Sequence, residues 1–202
     1  MTRIALTFDD GYAEHYALAK LMEGLKVRAT FFVITRLTSW EGSPLLTQRD
    51  SALSDVAEMG HEIGAHTLTH PNLTLLSGSE AEREISVSKK DLEEASGVKV
   101  RGFAYPFGLY NPMVKNIVKK HFEYARTAST QTGDPDVYEI PIVPFNVLGT
   151  FAVSRKAVFP GGGDVAIIAH RLDAWILRSW VGLMKNLGAE FITLGELAAN
   201  RQ

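Results

Sequence analysis

Short apolar runs alternate with longer amphipathic stretches along the whole chain. Arg3–Phe8 predicts a strand that ends against two adjacent carboxylates, Asp9 and Asp10. Ala13–Leu25 carries Tyr16, Leu18, Ala19, Leu21, Met22 and Leu25 near helical spacing. Ala29–Ile34, "ATFFVI", has the length and the aromatic, β-branched content of a buried strand. Gln48–Met59 predicts a helix stopped by Gly60, and His61–His66 a short strand. Ser79–Ala95 predicts a charged, exposed helix, with Ser79 as its cap, Glu82 three residues on and Gly97 at its end. Val100–Tyr105 and Tyr124–Ala128 read as strands on either side of a helix, Pro112–Lys120, that opens on proline. Pro141 and Pro144 break the pattern of Asp136–Phe159, which predicts edge strands or irregular backbone. Ser129–Tyr138 and Pro160–Asp164 read as loops. Val165–His170 is an apolar strand, followed by a helix over Asp173–Leu187, a strand at Phe191–Thr193 and a short helix from Leu194.

About seven strand-then-helix units imply parallel strands with helices outside. Unbroken apolar strands such as "ATFFVI" imply that both faces of the sheet are covered. The expected fold is a single α/β domain, a distorted or incomplete (β/α) barrel. With 202 residues against the ~250 of a full eight-fold barrel, it should be short or distorted. An open doubly wound sheet is the alternative.

Composition narrows the chemistry. The chain has no cysteine, so disulfides and thiolate metal sites are excluded and any metal must be held by His, Asp or Glu. The 21 basic and 23 acidic residues leave a net charge of −2, which gives no electrostatic case for nucleic acid. No apolar run approaches the ~20 residues of a membrane span. Met1, Thr2 and Arg3 lead straight into the first strand, so a cytoplasmic protein is expected, or an extracellular one if a leader has been trimmed away. Nothing in the pattern speaks to oligomeric state.

In this architecture sites form at the carboxyl ends of strands. Asp9 and Asp10, His66, the stretch Tyr105–Gly108 and His170 all fall at such ends, and His70 lies in the loop after His66. His66 and His70 are four apart, but Pro71 disfavours helix there, so a loop turn is expected. Two histidines and a carboxylate make a donor set suited to zinc or another divalent first-row ion. Taken singly, each histidine could equally be a solvated or hydrogen-bonded residue. Asp10 alone could cap the helix that follows, but capping leaves the second aspartate unexplained.

"TFDDG" (Thr7–Gly11), "HTLTHP" (His66–Pro71), "FAYPFG" (Phe103–Gly108) and "IIAH" (Ile167–His170) resemble, in order and spacing, the motifs of the polysaccharide deacetylases. These form carbohydrate esterase family four, the chitooligosaccharide deacetylase homology domain. The resemblance runs from about residue 4 to 195. It implies metal-dependent hydrolysis of the acetamide of an N-acetylglucosamine-containing glycan, with zinc the first choice of metal and cobalt, nickel or manganese alternatives. It also implies Asp9 as general base, Asp10, His66 and His70 as metal ligands, and His170 as general acid. A backbone N–H of the Tyr105-Pro106-Phe107 stretch, Phe107 first, would hold the oxyanion.

Two departures stand out. The third motif in much of the family begins with an arginine thought to orient the base; Ala104 occupies that position, and Arg101, Arg126, Arg155 and Arg171 are the possible substitutes. An aspartate partner for the general-acid histidine is not evident either, which leaves Asp164 and Asp173 as replacements. Among the aromatics, Trp40 in "TSWEGSP" is the candidate for stacking on a sugar ring, whereas Trp175 and Trp180 read as core. His15, His61 and His121 read as surface or strand-edge residues, and Tyr105 and Tyr110 as core or pocket lining. Two further readings stay open: hydrolysis of a small amide, ureide or ester by the same site, and a non-catalytic glycan-binding relative.

Overall fold

Strand β1 (Arg3–Phe8) carries neighbours on both edges, and the rest of the sheet is laid out from it. After it come α1 (His15–Gly24), β2 (Thr30–Val33), a two-stranded hairpin of β3 (Ser39–Trp40) and β4 (Ser43–Pro44), and α2 (Ala52–Glu58). The chain continues through β5 (Glu62–Ala65), α3 (Gly78–Ser96), β6 (Gly102–Ala104), α4 (Pro112–His121), β7 (Tyr124–Arg126) and β8 (Val143–Pro144). It ends with β9 (Val165–Ala169), α5 (Ala174–Asn186), β10 (Glu190–Ile192) and α6 (Leu194–Ala199). This computed structural model describes residues 2–128, 136–146, 149–150, 153 and 163–201. Arg155 and most of the two expected loops lie outside the described residues.

The main sheet has the order β7-β6-β5-β2-β1-β9-β8, with β10 also on β1, and all its pairings are parallel. β10 borders the first half of β1, at Arg3, Ile4 and Ala5, while β2 borders its end at Thr7 and Phe8. β8 is only two residues long, so seven longer strands curl into the incomplete barrel that the pattern predicts. The proline-broken stretch forms the seam. Ile140 exchanges backbone hydrogen bonds with the β7 side, donating to Ala125 and accepting from Thr127, and three residues on Val143–Pro144 pairs with β9. Pro141 has no N–H, so it sits where the chain passes from one edge to the other.

Some boundaries differ from expectation for local reasons. α1 starts at His15 rather than Ala13, whose N–H donates to the Pro44 carbonyl of the hairpin. Leu46–Gln48 forms a separate 3₁₀ turn, so α2 starts at Ala52. α3 is capped by Ser77, not Ser79: Ser77 and Glu80 form a reciprocal capping box one register earlier than the Ser79–Glu82 pair. Gly97 closes that helix in the left-handed region, as expected.

Strand alternation divides the apolar residues into two cores. Ile4, Leu6, Phe8, Phe31, Val33, Phe103 and Ile167 face the helices, where they pack against Leu18, Met22, Ile85, Val118 and Val181. Ala5, Phe32, Ala104, Tyr124, Ala166 and Ile168 fill the barrel instead. Glycines on neighbouring strands make room for its two rings, Phe32 and Tyr124: a Cβ on Gly64 would overlap Phe32, and one on Gly102 would overlap Tyr124. Gly102→Ala should therefore lower stability by about 1–3 kcal/mol, a drop of several degrees in melting temperature. Gly182→Ala in α5, where a Cβ meets nothing within 4 Å, should leave stability unchanged or raise it by up to ~1 kcal/mol. Thermal melts of the two variants check the layer assignment.

Candidate active site

The parity that puts Ala5 inside the barrel brings Asp9 inward just past the end of β1. In the same way His66 follows Gly64 at the end of β5, Arg126 follows Tyr124 at the end of β7, and His170 follows Ile168 at the end of β9. Four strand ends thus deliver four polar side chains to one rim. There they line a small cleft of about 140 Å³ together with Asp10, Trp40, Glu41, His70, Tyr105 and Phe107.

Asp10 leaves the strand in the left-handed region, at φ 68°, and turns back toward the histidines. It is no helix cap: Glu14 stands at that position of α1. Asp10 Oδ1 lies 3.5 Å from His66 Nε2 and 3.6 Å from His70 Nε2, and the two Nε2 atoms are 3.1 Å apart. Ligand bonds of about 2.0–2.1 Å at tetrahedral angles place donor atoms ~3.3 Å from one another, so this triangle fits a divalent cation without rearrangement. His66 Nδ1 donates to the Ala104 carbonyl at 2.8 Å, which fixes the tautomer and leaves Nε2 with a lone pair toward the cleft. His70 sits in the expected loop turn, at φ 58°, with its N–H donating to Thr67 Oγ1 at 3.0 Å. Its ring lies between Trp40 and Phe107, with centroids 4.6 and 4.5 Å away. Burial, and secondarily the neighbouring His66, push the His70 pKa down to about 4, so the imidazole is held in the neutral form that binds metal. Burial alone would push the Asp10 carboxyl up, but hydrogen bonding and charge from His66, with smaller contributions from His170 and His70, hold it below its usual range.

Asp9 is 3% exposed and forms an ion pair with Nη2 of Arg126, itself 1% exposed. Arg126 stands opposite Ala104 in the β6–β7 register, and its guanidinium lies 5.0 Å from the Phe32 ring centroid. Of the three described candidate arginines, this is the one that reaches Asp9: Arg171 is held by Glu14, and Arg101 points at Glu123. Alternation along β7 hinted at its inward direction, but its pairing with Asp9 crosses strands and leaves no local sequence signal. Asp9 Oδ1 is buried and takes no hydrogen bond among the described residues. His66 Nε2 and His170 Nε2 lie 3.9 and 4.0 Å from Asp9 Oδ2, and the His170 side chain is 58% exposed at the mouth.

The remaining candidates divide. Pro106 has no N–H, and that of Tyr105 is bonded to the Arg126 carbonyl, so Phe107 supplies the open backbone donor of that stretch. Trp40 borders the cleft as expected. Trp180 is core, but Trp175 is 70% exposed, because it falls on the outer side of α5. His15 and His61 are buried, contrary to expectation. His15 lies on the inner face of α1 with Leu18, Ala19 and Met22, a spacing that was legible, and its Nε2–H donates to the His170 carbonyl at 2.6 Å. Asp164 is spent on Arg3 at the start of β9, at the opposite end of that strand from His170, so it is not the partner considered for it. Asp173 stands at the N-cap position of α5.

Backbone strain concentrates here. Seven described non-glycine residues have positive φ, and Asp10, Glu41, Thr67, His70 and Phe107 line the cleft or sit in the loop of the paired histidines. Such outliers persist where the surrounding structure over-determines them.

The polysaccharide deacetylase family model matches residues 2–123. The chain is 27% identical over 207 residues to the peptidoglycan-N-acetylglucosamine deacetylase of Listeria monocytogenes, covering 96% of this chain and 38% of that relative's length. Among solved structures, a family 4 acetyl xylan esterase from Clostridium thermocellum, in complex with a cobalt ion, has a TM-score of 0.70 at 21% identity, over 97% of this chain and 90% of that one. A carbohydrate esterase family 4 pseudoenzyme from Bacillus anthracis has a TM-score of 0.71 at 22% identity, over 98% of this chain and 65% of that one.

Two outcomes follow from the geometry. His66→Ala should weaken the binding of added divalent cation at the Asp10–His66–His70 triangle, read by metal analysis after dialysis, while the fold persists. In the metal-free protein, His70 has a folded pKa of about 4 against an ordinary value of 6.5. The unfolded chain therefore takes up that proton first, and the stability His70 contributes is complete above pH ~6.5 and lost as pH falls toward 4. Melting temperatures across that window should fall, and less steeply in His70→Gln.

Proposed function

We propose, from the premise that this chain belongs to the polysaccharide deacetylase family, that it is a metal-dependent hydrolase removing acetyl groups from N-acetylglucosamine-containing poly- or oligosaccharides. The observation that carries the reading is the Asp10–His66–His70 donor triangle with a second, separately paired carboxylate, Asp9, beside it. A divalent cation held by those three residues, zinc by the chemistry of the donors, would supply the Lewis acidity that polarises the acetyl carbonyl and acidifies water.

The chain's own groups account for the rest. Asp9 has one oxygen on Arg126 and the other without a hydrogen-bond partner among the described residues, as a base awaiting a water proton requires. Arg126 holds that carboxylate in place from β7, the strand next to that of Ala104, in the role of the arginine lost there. Phe107 lines the cleft, and its N–H would be the donor for a developing oxyanion. His170 stands at the mouth, on the side where an amine would depart, and an imidazole is suited to protonate it. The cleft is smaller than the 300 Å³ or more of a typical whole-ligand pocket, so it would admit the acetamido tip and leave the sugar across the rim.

Acetate release from N-acetylglucosamine oligomers should require metal, stop with chelator and return with zinc or cobalt. Asp9→Asn should keep the metal and lose about 10²–10⁴-fold in kcat. Arg126→Lys should keep the metal and lose about 10–100-fold. Release from small acetamides or esters alone would move the substrate class, and glycan binding with no release from any metal-loaded form would leave a binding relative.

A further inference from the structure

Of the five strained residues around the cleft, four have roles or direct support in the reading above. Asp10 and His70 are donors, Thr67 holds the His70 backbone, and Phe107 offers an N–H. The fifth, Glu41, has none. It lies at the tip of the β3–β4 hairpin, where Glu41 and Gly42 have φ of 47° and 76°, the geometry of a type I′ turn. That position favours asparagine, aspartate or glycine, and a glutamate there is held against its own preference. The hairpin is firmly mounted. Tyr12 pairs with Leu45, the Leu46 N–H donates to the Gly11 carbonyl at 2.6 Å, and Trp40 packs on the buried Tyr12, Ile34 and Leu45.

The mounting aims the carboxylate. Glu41 lines the same cleft as Asp9, Asp10, His66 and His70, and its Oε2 accepts a hydrogen bond at 3.3 Å from the hydroxyl of Tyr12, which is 1% exposed. Among the described residues it takes no other hydrogen bond. The nearby cation, Arg171, has Nε and Nη2 both committed to Glu14 at 3.0 Å. The charge of Asp9 is met by Arg126, and Asp10 lies among the paired histidines; among the described residues Glu41 has only the Tyr12 hydroxyl at hydrogen-bond range, with Arg171 acting on it at longer range.

Resting on the deacetylase reading, we propose that Glu41 is a specificity residue: its carboxylate accepts hydrogen bonds from hydroxyl or ammonium groups of the sugar lying across the rim, and disfavours glycans that carry a carboxylate beside the acetamide. Strain in the turn is the cost of placing an acceptor there that asparagine or glycine could not extend.

The test is direct binding to the zinc-loaded protein, with Asp9→Asn present throughout to prevent turnover. The probes are an N-acetylglucosamine pentamer and an oligomer of equal length that alternates with uronate. With Glu41 native, the pentamer should bind more tightly than the uronate oligomer. E41Q should weaken pentamer binding several-fold and narrow the gap, with metal content unchanged. E41N, which suits the turn, should raise the melting temperature by about 1–4 °C while weakening the pentamer similarly. In the Asp9-containing enzyme the E41Q loss should appear in KM rather than kcat. If the pentamer binds equally to the native, E41Q and E41N forms, Glu41 is a turn residue only and the proposal is overturned while the deacetylase reading stands. If neither probe binds with Glu41 native, the glycan reading itself fails, and this proposal with it.

Discussion

Two neighbouring carboxylates sit almost fully buried at the base of the cleft, and everything around them answers that electrostatic demand. Charges out of water are costly unless each is separately compensated. Asp9 stays on the strand register, points into the barrel and meets the guanidinium of Arg126. Asp10 breaks from the register at positive φ and meets His66 and His70. One step of backbone thus separates the carboxylate paired with arginine from the one that meets the histidines. Adjacent residues on a regular strand would face opposite sides, and only the left-handed turn at Asp10 lets both serve the same cleft.

The arginine opposite Ala104 shows how this demand can be met by different means. A small side chain on β6 leaves room for a long one from β7 at the same register, and the guanidinium reaches the same carboxylate. The interior beneath is packed, with the rings of Phe32 and Tyr124 resting on glycines of neighbouring strands. The same narrow interior closes the cleft floor, so the chemistry is confined to the uppermost layer of side chains. Above that layer the walls are loop residues. Several of these sit in backbone conformations they would not choose alone, a sign that the framework beneath imposes the geometry.

The order of strands and helices, their parallel arrangement and the rim position of Asp9, Asp10, His66, His70 and His170 follow from the chain alone. Periodicity of two or 3.6 and breaks at glycine and proline are local properties, and parallel sheets place sites at strand ends. The burial of His15 was equally legible from its spacing with Leu18 and Met22, yet a lone polar residue in an apolar stripe is easily read as exposed. Tertiary structure alone decided that Arg126 pairs with Asp9, that Asp164 serves Arg3 instead of His170, and that Glu41 lines the cleft. Each of these depends on register between strands, or on contacts between segments far apart in sequence, and no local pattern of hydrophobic and polar residues encodes that distance.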